Sequence, residues 1–216
     1  MGSRRRFGRN RLTVALAAVV ALGVLGAGVA VPARSAPTAA VKLDTSPVGL
    51  WMSPVLVDGA WSKLVRNDNG VGVTIHTTGL TPGTADTVWW VFFNNPSACL
   101  HGMFGARCGL GDVLTNPASL PSVQFAAGHV IGSDGVGNYG AYFSAGAAPV
   151  CAGFGLPCNG LLDARTADVH VVIRTHGDAI PGLVDEQISS FNGGCLAGEP
   201  NVGQCHNVQA SVHEAS

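Results

Sequence analysis

Between residues 71 and 77, Val71, Val73, Ile75 and Thr77 alternate with Gly72, Thr74 and His76. That period of two marks a strand with one covered face. The same alternation recurs in 168–174, where Val169, Val171 and Ile173 share a phase, and in 207–213, where Val208, Ala210 and Val212 do. Residues 87–93, Thr-Val-Trp-Trp-Val-Phe-Phe, have no polar phase and predict a central strand covered on both sides. With 61–66, 122–131 and 138–145 the pattern predicts seven strands, and 54–57 adds a weaker eighth. Asn67-Asp68-Asn69-Gly70 is a tight hairpin turn, because Asn and Gly tolerate positive φ. Residues 80–84 and 132–137 are further turns. One short helix is expected in 183–191, where Leu183, Val184, Ile188 and Phe191 fall on one side and Asp185 and Glu186 suit the first turn.

Seven or eight short strands in roughly 180 residues fit an all-β fold, a two-sheet antiparallel sandwich with Greek-key connections of the immunoglobulin/fibronectin kind. Composition agrees: 30 glycines and 12 prolines serve turns better than helices, and with 47% hydrophobic against 12% charged residues the chain is no solvated disordered polymer. If consecutive strands alternate in direction, the turn at 67–70 and the long loops 94–121 and 146–167 emerge at one end, and the short helix lies at the other.

Residues 1–35 read as an export signal: five arginines without an acid up to Arg11, then an uncharged apolar run over 12–31 and small residues that put cleavage within 33–36. Ser3-Arg4-Arg5-Arg6-Phe7 is similar to a twin-arginine export motif, and an ordinary secretory signal is the equal alternative. The apolar run also has the length to span a bilayer, so an uncleaved N-terminal anchor is the competing reading and the only route to membrane association. A Pro/Ala/Thr linker over 36–45 leads into a single domain over 46–216. The segment carries six of the twelve basic residues; the remainder holds six bases against thirteen acids, a formal charge of −7. Six scattered bases give no patch for phosphates, which excludes a nucleic-acid partner.

Six cysteines, Cys99, Cys108, Cys151, Cys158, Cys195 and Cys205, form an even set in an exported chain, which reads as disulfides. Spacing favours three local pairs, each inside a loop rich in Gly, Pro, Asn and Ala, and the intervals lack the Cys-x-x-Cys of structural zinc sites. A local bridge contributes roughly 2.5 kcal/mol by loop closure, so these are expected to compact loops and not to hold the core.

The segments 64–70, 78–83 and 88–91 on one side, and 169–177 and 181–188 on the other, together with Ala127-Gly128-His129-Val130-Ile131-Gly132 and Phe191-Asn192-Gly193-Gly194-Cys195, resemble a group of uncharacterised exported bacterial proteins of β-sandwich type. The resemblance covers about residues 60–213 and implies no activity and no functional residue. The turn at 79–84 is similar to fibronectin type III and related sandwiches, which bears on fold alone. The His-x-His pair of copper/zinc superoxide dismutase, another exported sandwich, is absent.

Histidine carries the most suggestive chemistry. His76, His170 and His213 occupy the polar phase of their strands, so on neighbouring strands they could ligate Zn or Cu; separate exposed histidines are the plainer reading. His129 shares the phase of Phe125, Ala127 and Ile131 and reads as a hydrogen-bonded core residue, while His101 and His206 beside cysteines are expected to be exposed. Nucleophilic catalysis has little support, since there is no Gly-x-Ser-x-Gly elbow. Asp185 and Glu186 are adjacent on a helix and point apart, which suits a solvated turn better than an acid/base pair. Asp134, or Asp68 with Asn67 and Asn69, could offer oxygens to Ca²⁺ but read as plain turns. Trp51, Trp61, Trp89 and Trp90 could stack on sugars but are expected in the core. The sequence therefore predicts a secreted or cell-envelope, non-enzymatic and monomeric binding module without cofactor, whose partner is an unknown ligand or envelope component. The alternative is a Zn or Cu site built on His76, His170 and His213.

Overall fold

The computed structural model describes residues 41–103 and 105–215; the expected export signal, its cleavage region and the first half of the expected linker lie outside the described residues. The elements are β1 (Lys42–Leu50), β2 (Leu56–Asn67), β3 (Gly70–Thr77), β4 (Thr84–Phe93), α1 (Leu110–Thr115), β5 (Pro121–Val130), β6 (Gly137–Ser144), β7 (Asp168–Asp178), α2 (Val184–Gln187) and β8 (His206–His213). All seven expected strands are present. The eighth strand is not the weak 54–57 segment, whose end only opens β2, but β1, which begins inside the stretch read as linker.

The strands form one continuous antiparallel sheet in the order β5-β4-β7-β8-β1-β2-β3-β6. Its two ends meet side chain to side chain, where the His129 ring of β5 stacks on Tyr139 of β6 with centroids 4.4 Å apart. The result is a nearly closed barrel, and the expected pair of separate sheets is not what the chain builds. One sheet suffices because an eight-stranded ribbon with ordinary twist can curl until its own side chains fill the interior.

That interior is apolar over most of its surface: Leu64, Val71, Val73, Ile75, Val88, Trp90, Phe92, Val169, Val171 and Ile173 are buried together. Each such side chain stabilises by roughly 1.5–3 kcal/mol, about what one local disulfide does. The barrel wall therefore stands on its own burial. β4 carries a second apolar face on the outside, where Trp89, Val91 and Phe93, with Val172 of β7, pack with Val113, Val123 and Cys108.

The cover for this outer face comes from the cysteine loops. Bridges join Cys99–Cys108, Cys151–Cys158 and Cys195–Cys205, the three local pairs expected. Their role is larger than compaction, because Cys99, Ala152 and Leu156 from these loops, with Phe191 just before the third, pack on the outer cluster. The loop holding Cys151 and Cys158 also pairs along β5, at Gln124↔Cys151 and Ser122↔Cys158, and so covers an edge that would otherwise be open. The 99–108 loop is fixed by Arg107, which donates two 3.1 Å bonds to the buried carboxylate of Asp168, and by Asp112, which accepts the N–H groups of Leu100, His101 and Gly109. The segment after α2 lies so close to β5 that a Cβ on Gly128 would stand 2.1 Å from the Ile188 carbonyl oxygen.

At the end of the barrel holding the 67–70 turn, Arg66 is fully buried on the inner face of β2. It donates to the carbonyls of Ala164 (3.1 Å), Ala167 (2.6 Å) and His213 (2.8 Å), tying the 146–167 loop and the end of β8 to the barrel mouth. Replacing Arg66 by Ala leaves three buried carbonyls without a donor, and a loss of about 3 kcal/mol or more is expected in urea unfolding. An Arg66→Ala variant as stable as the parent would remove Arg66 from this role.

Candidate functional site

The outer apolar face is not fully filled. Under the loops lies a cavity of about 70 Å³ lined by Trp51, Trp89, Phe93, Val172, Leu156 and Phe191 among others, with His170 in its wall. Trp89 and Phe191 also line a neighbouring depression of about 250 Å³.

The walls are held by polar groups behind them. Trp89 Nε1 donates to Thr87 Oγ1 at 2.7 Å, Thr87 Oγ1 lies 2.8 Å from His176 Nε2, and His176 Nδ1 lies 3.1 Å from the Gly193 carbonyl. A carbonyl only accepts, so Nδ1 carries the proton, Nε2 accepts from the Thr87 hydroxyl, and the chain runs in one direction from Trp89 to Gly193. Phe191 is held likewise: Arg174 donates to its carbonyl at 2.8 Å, and the guanidinium sits over the ring 4.3 Å from its centroid. Burial draws Arg174 down to about 10, which leaves it charged at neutral pH.

His170 differs from these. It is 4% exposed, its ring meets Phe93 edge to face with centroids 5.0 Å apart, and its Nε2 is buried without a hydrogen-bond partner. Burial lowers its pKa to about 4, with the neighbouring His213 acting in the same direction. A neutral imidazole nitrogen in an apolar wall is a site for one polar atom of a guest molecule, since an unmade buried hydrogen bond costs about 1–3 kcal/mol.

The other histidines are dispersed. His76 is half-buried on the outer face of β3, where it meets Asn138 Oδ1 at 2.9 Å and tilts over Trp61. His170 is on the covered outer face of β7. His213 is fully buried on the inner face of β8. Three further strands, β8, β1 and β2, separate β7 from β3, so the structure does not bring His76, His170 and His213 to one ion. The expected shared polar surface fails because β8 is turned the other way: Gln209, Ser211 and His213 face the interior, where Gln209 meets Thr77 and Ser211 meets Ser62.

His129 is half-buried at the β5–β6 seam, stacked on Tyr139 and not in the core, while His101 and His206 are exposed as expected. Among the described residues, His176, Cys195 and Cys205 have ligand atoms within 4.8 Å of one another, but the two sulfurs are bonded to each other and offer no thiolate. Asn67 Oδ1 caps the amides of Asn69 and Gly70, Asp68 pairs with Arg165 at 2.8 Å, and Asp134 caps Val136, so the candidate calcium loops are occupied as turns. Trp89 and Trp90 are buried on opposite faces, as adjacent strand residues must be.

The residues missed in the sequence are the polar ones facing inward, Asp44, Ser62 and Ser211. A signal was present for Ser62: it shares the phase of Ala60 and Leu64, so a polar side chain stood on a buried face. Asp44 gave none, since its strand reads as linker.

The architecture is that of a nearly closed antiparallel barrel whose outer face is roofed by three disulfide loops. No family model, curated protein or solved structure matches the chain. The three bridges point to folding in an oxidising, non-cytoplasmic location.

Burial also lowers His176 to about 4 and lowers His213, so three imidazoles are kept neutral in the fold. An unfolded histidine titrates near 6.5. Between that value and about 4 the unfolded chain binds more protons, so the stability these groups contribute is complete above about pH 6.5 and is lost as pH falls. Urea midpoints are expected to be level from pH 7.5 to about 6.5 and to drop from there to pH 4.5, less steeply in His170→Leu. Equal slopes in the two proteins would show that His170 is not buried as a neutral ring.

Proposed function

We propose that the chain is an exported bacterial binding module that takes a small, mainly apolar molecule carrying one hydroxyl or similar group, in the chamber beneath its disulfide loops. The observation that carries this reading is the unpartnered Nε2 of His170 in a wall that is apolar apart from Asn207. Small-molecule sites commonly combine an apolar lining with very few fixed polar atoms. Rigid walls favour binding because little order remains to be imposed: Trp89 and Phe191 are each held by hydrogen bonds and by an edge-to-face contact 4.9 Å between centroids.

Size limits the guest. A cavity near 150 Å³ admits benzene, so the 70 Å³ chamber takes a short group, and any larger body must extend toward the adjacent depression past Trp89 and Phe191. A protonated carboxylic acid or an alcohol suits the imidazole; a charged group does not, since the wall offers it no counter-charge. The metal alternative finds no such support, because the histidines proposed for it are spread over different strands and faces.

Titration of the secreted, oxidised protein with 1-propanol and 1-chloropropane, both smaller than benzene, followed by tryptophan fluorescence, tests the reading. Saturable binding is expected for both, with 1-propanol tighter by about tenfold, the equivalent of one hydrogen bond. His170→Leu is expected to abolish that preference while keeping the affinity for 1-chloropropane. Absence of saturable binding by either compound, or a preference unchanged in His170→Leu, would overturn the assignment.

A further inference from the structure

A second site lies where β1 and β8 part from one another and rests on other polar residues, although Trp51 and Met103 border both cavities. β1 and β8 pair only at Gly49↔Ala210 and Leu50↔Gln209. Beyond those pairs a cleft of about 670 Å³ separates them, lined by Asp44, Ser46, Leu50, Met52, Leu56 and Ser211 among others.

Four side chains from three strands are joined there in one line. Asp44 Oδ2 lies 2.7 Å from His213 Nδ1, His213 Nε2 lies 2.7 Å from Ser62 Oγ, and Ser62 Oγ lies 2.8 Å from Ser211 Oγ. Proton placement follows from counting donors. A carboxylate only accepts, so Nδ1–H donates to Asp44; Nε2 of the neutral ring then accepts the Ser62 proton; and Ser62 Oγ in turn accepts from the Ser211 hydroxyl. Ser62 and His213 are fully buried, whereas the Asp44 side chain is 34% exposed and Ser211 is 3% exposed and lines the cleft. The line thus reaches the cleft at its two ends, with a hydroxyl at one and a carboxylate at the other.

We propose that this line is a proton relay that makes Ser211 a nucleophile toward uncharged esters with a short apolar acyl group. The Ser211 oxygen bonds to the carbonyl carbon as its proton passes to Ser62 and the Ser62 proton passes to His213 Nε2. Asp44 holds the resulting imidazolium. Ser62 recovers a proton from His213 and gives its own directly to the departing alcohol oxygen as the C–O bond breaks, because the esterified Ser211 oxygen no longer has a proton to relay; this leaves an acylated Ser211. Water takes the place of the alcohol, passes a proton through Ser62 to His213 as it bonds to the acyl carbon, and the Ser211 oxygen regains a proton from Ser62 as its bond to that carbon breaks, releasing the carboxylic acid. A base oriented by a third group is what activates a hydroxyl that is otherwise a weak nucleophile.

The cleft supplies the substrate preference. Leu50, Met52 and Leu56 are 44%, 53% and 62% exposed on its walls, a surface for an apolar acyl chain. Glu214 also borders the cleft and disfavours anionic substrates.

The test uses the secreted, oxidised protein, an alkyl fluorophosphonate and p-nitrophenyl butyrate. One phosphonyl adduct is expected, on the peptide carrying Ser211, together with hydrolysis of the ester. Asp44→Asn, which holds the imidazole in the wrong tautomer, is expected to slow both by about 10²-fold or more while circular dichroism shows an unchanged fold. If Asp44→Asn does not fold, Ser211→Cys takes its place, and its thiol is expected to be alkylated by iodoacetamide at pH 7 at least about tenfold faster than free cysteine. No adduct, an adduct on another serine, an unchanged rate in Asp44→Asn, or alkylation of Ser211→Cys at the rate of free cysteine would each overturn the proposal. None of these outcomes bears on binding at His170, which belongs neither to the relay nor to the lining of the cleft.

Discussion

The organising constraint is that β4 and β7 are buried on both faces, and that β4 is apolar on both. Strands of that kind cannot sit at a surface, and among the described residues there is no layer of long helices to lay against them. One face is hidden by curling the sheet until Trp90 and Phe92 meet Val71, Val73 and Ile75 from its far side. The other face, with Trp89, Val91 and Phe93, is left for the connections to cover. Irregular backbone makes a poor roof unless it is fixed, and here each covering loop is closed by a bridge and fastened by buried polar side chains, Asp112 and Asp168 on one side and Arg174 and His176 on the other. The cavity beside His170 exists because a roof of loops fits an apolar floor less completely than another strand layer would.

Much of this was legible. The alternation in β3 and β7 and the unbroken apolar run of β4 place those strands correctly, with Trp89 and Trp90 on opposite faces, and the local cysteine pairs follow from spacing. The single curled sheet was not legible, because two sheets and one rolled sheet write the same alternation into the sequence. β1 was hidden for a specific reason. Lys42-Leu43-Asp44-Thr45-Ser46-Pro47 has charged, hydroxyl-bearing and proline residues where a strand would show apolar ones, and only its place beside β2 makes it one. β8 was found but read inside out: Val208, Ala210 and Val212 looked like the covered phase, yet Gln209, Ser211 and His213 are the buried ones. Hydrophobicity could not reveal that, since what draws them inward is a set of partners on other strands, Thr77, Ser62 and Asp44.

The two candidate sites express one rule in opposite ways. Along the inner seam polar atoms are matched to one another, so that the buried His213 makes a hydrogen bond through each of its ring nitrogens. In the outer chamber the match is left incomplete at His170, and the missing partner is what a guest can bring. Both arrangements depend on neutral imidazole, which ties them to the same range of pH.

The inward polar set has one more effect, on how strands find their alignment. A wall lined only by valines and leucines would accept β8 displaced by two residues almost as well as in place. Displaced by one, β8 would send Val208, Ala210 and Val212 to face the hydroxyls of Ser62 and Thr77, and its own amide, hydroxyl and imidazole would be stranded among aromatic rings. Gln209, Ser211 and His213 therefore work as the teeth of a key: β8 seats in one position only, and β1, which grips it by two residue pairs, inherits that alignment.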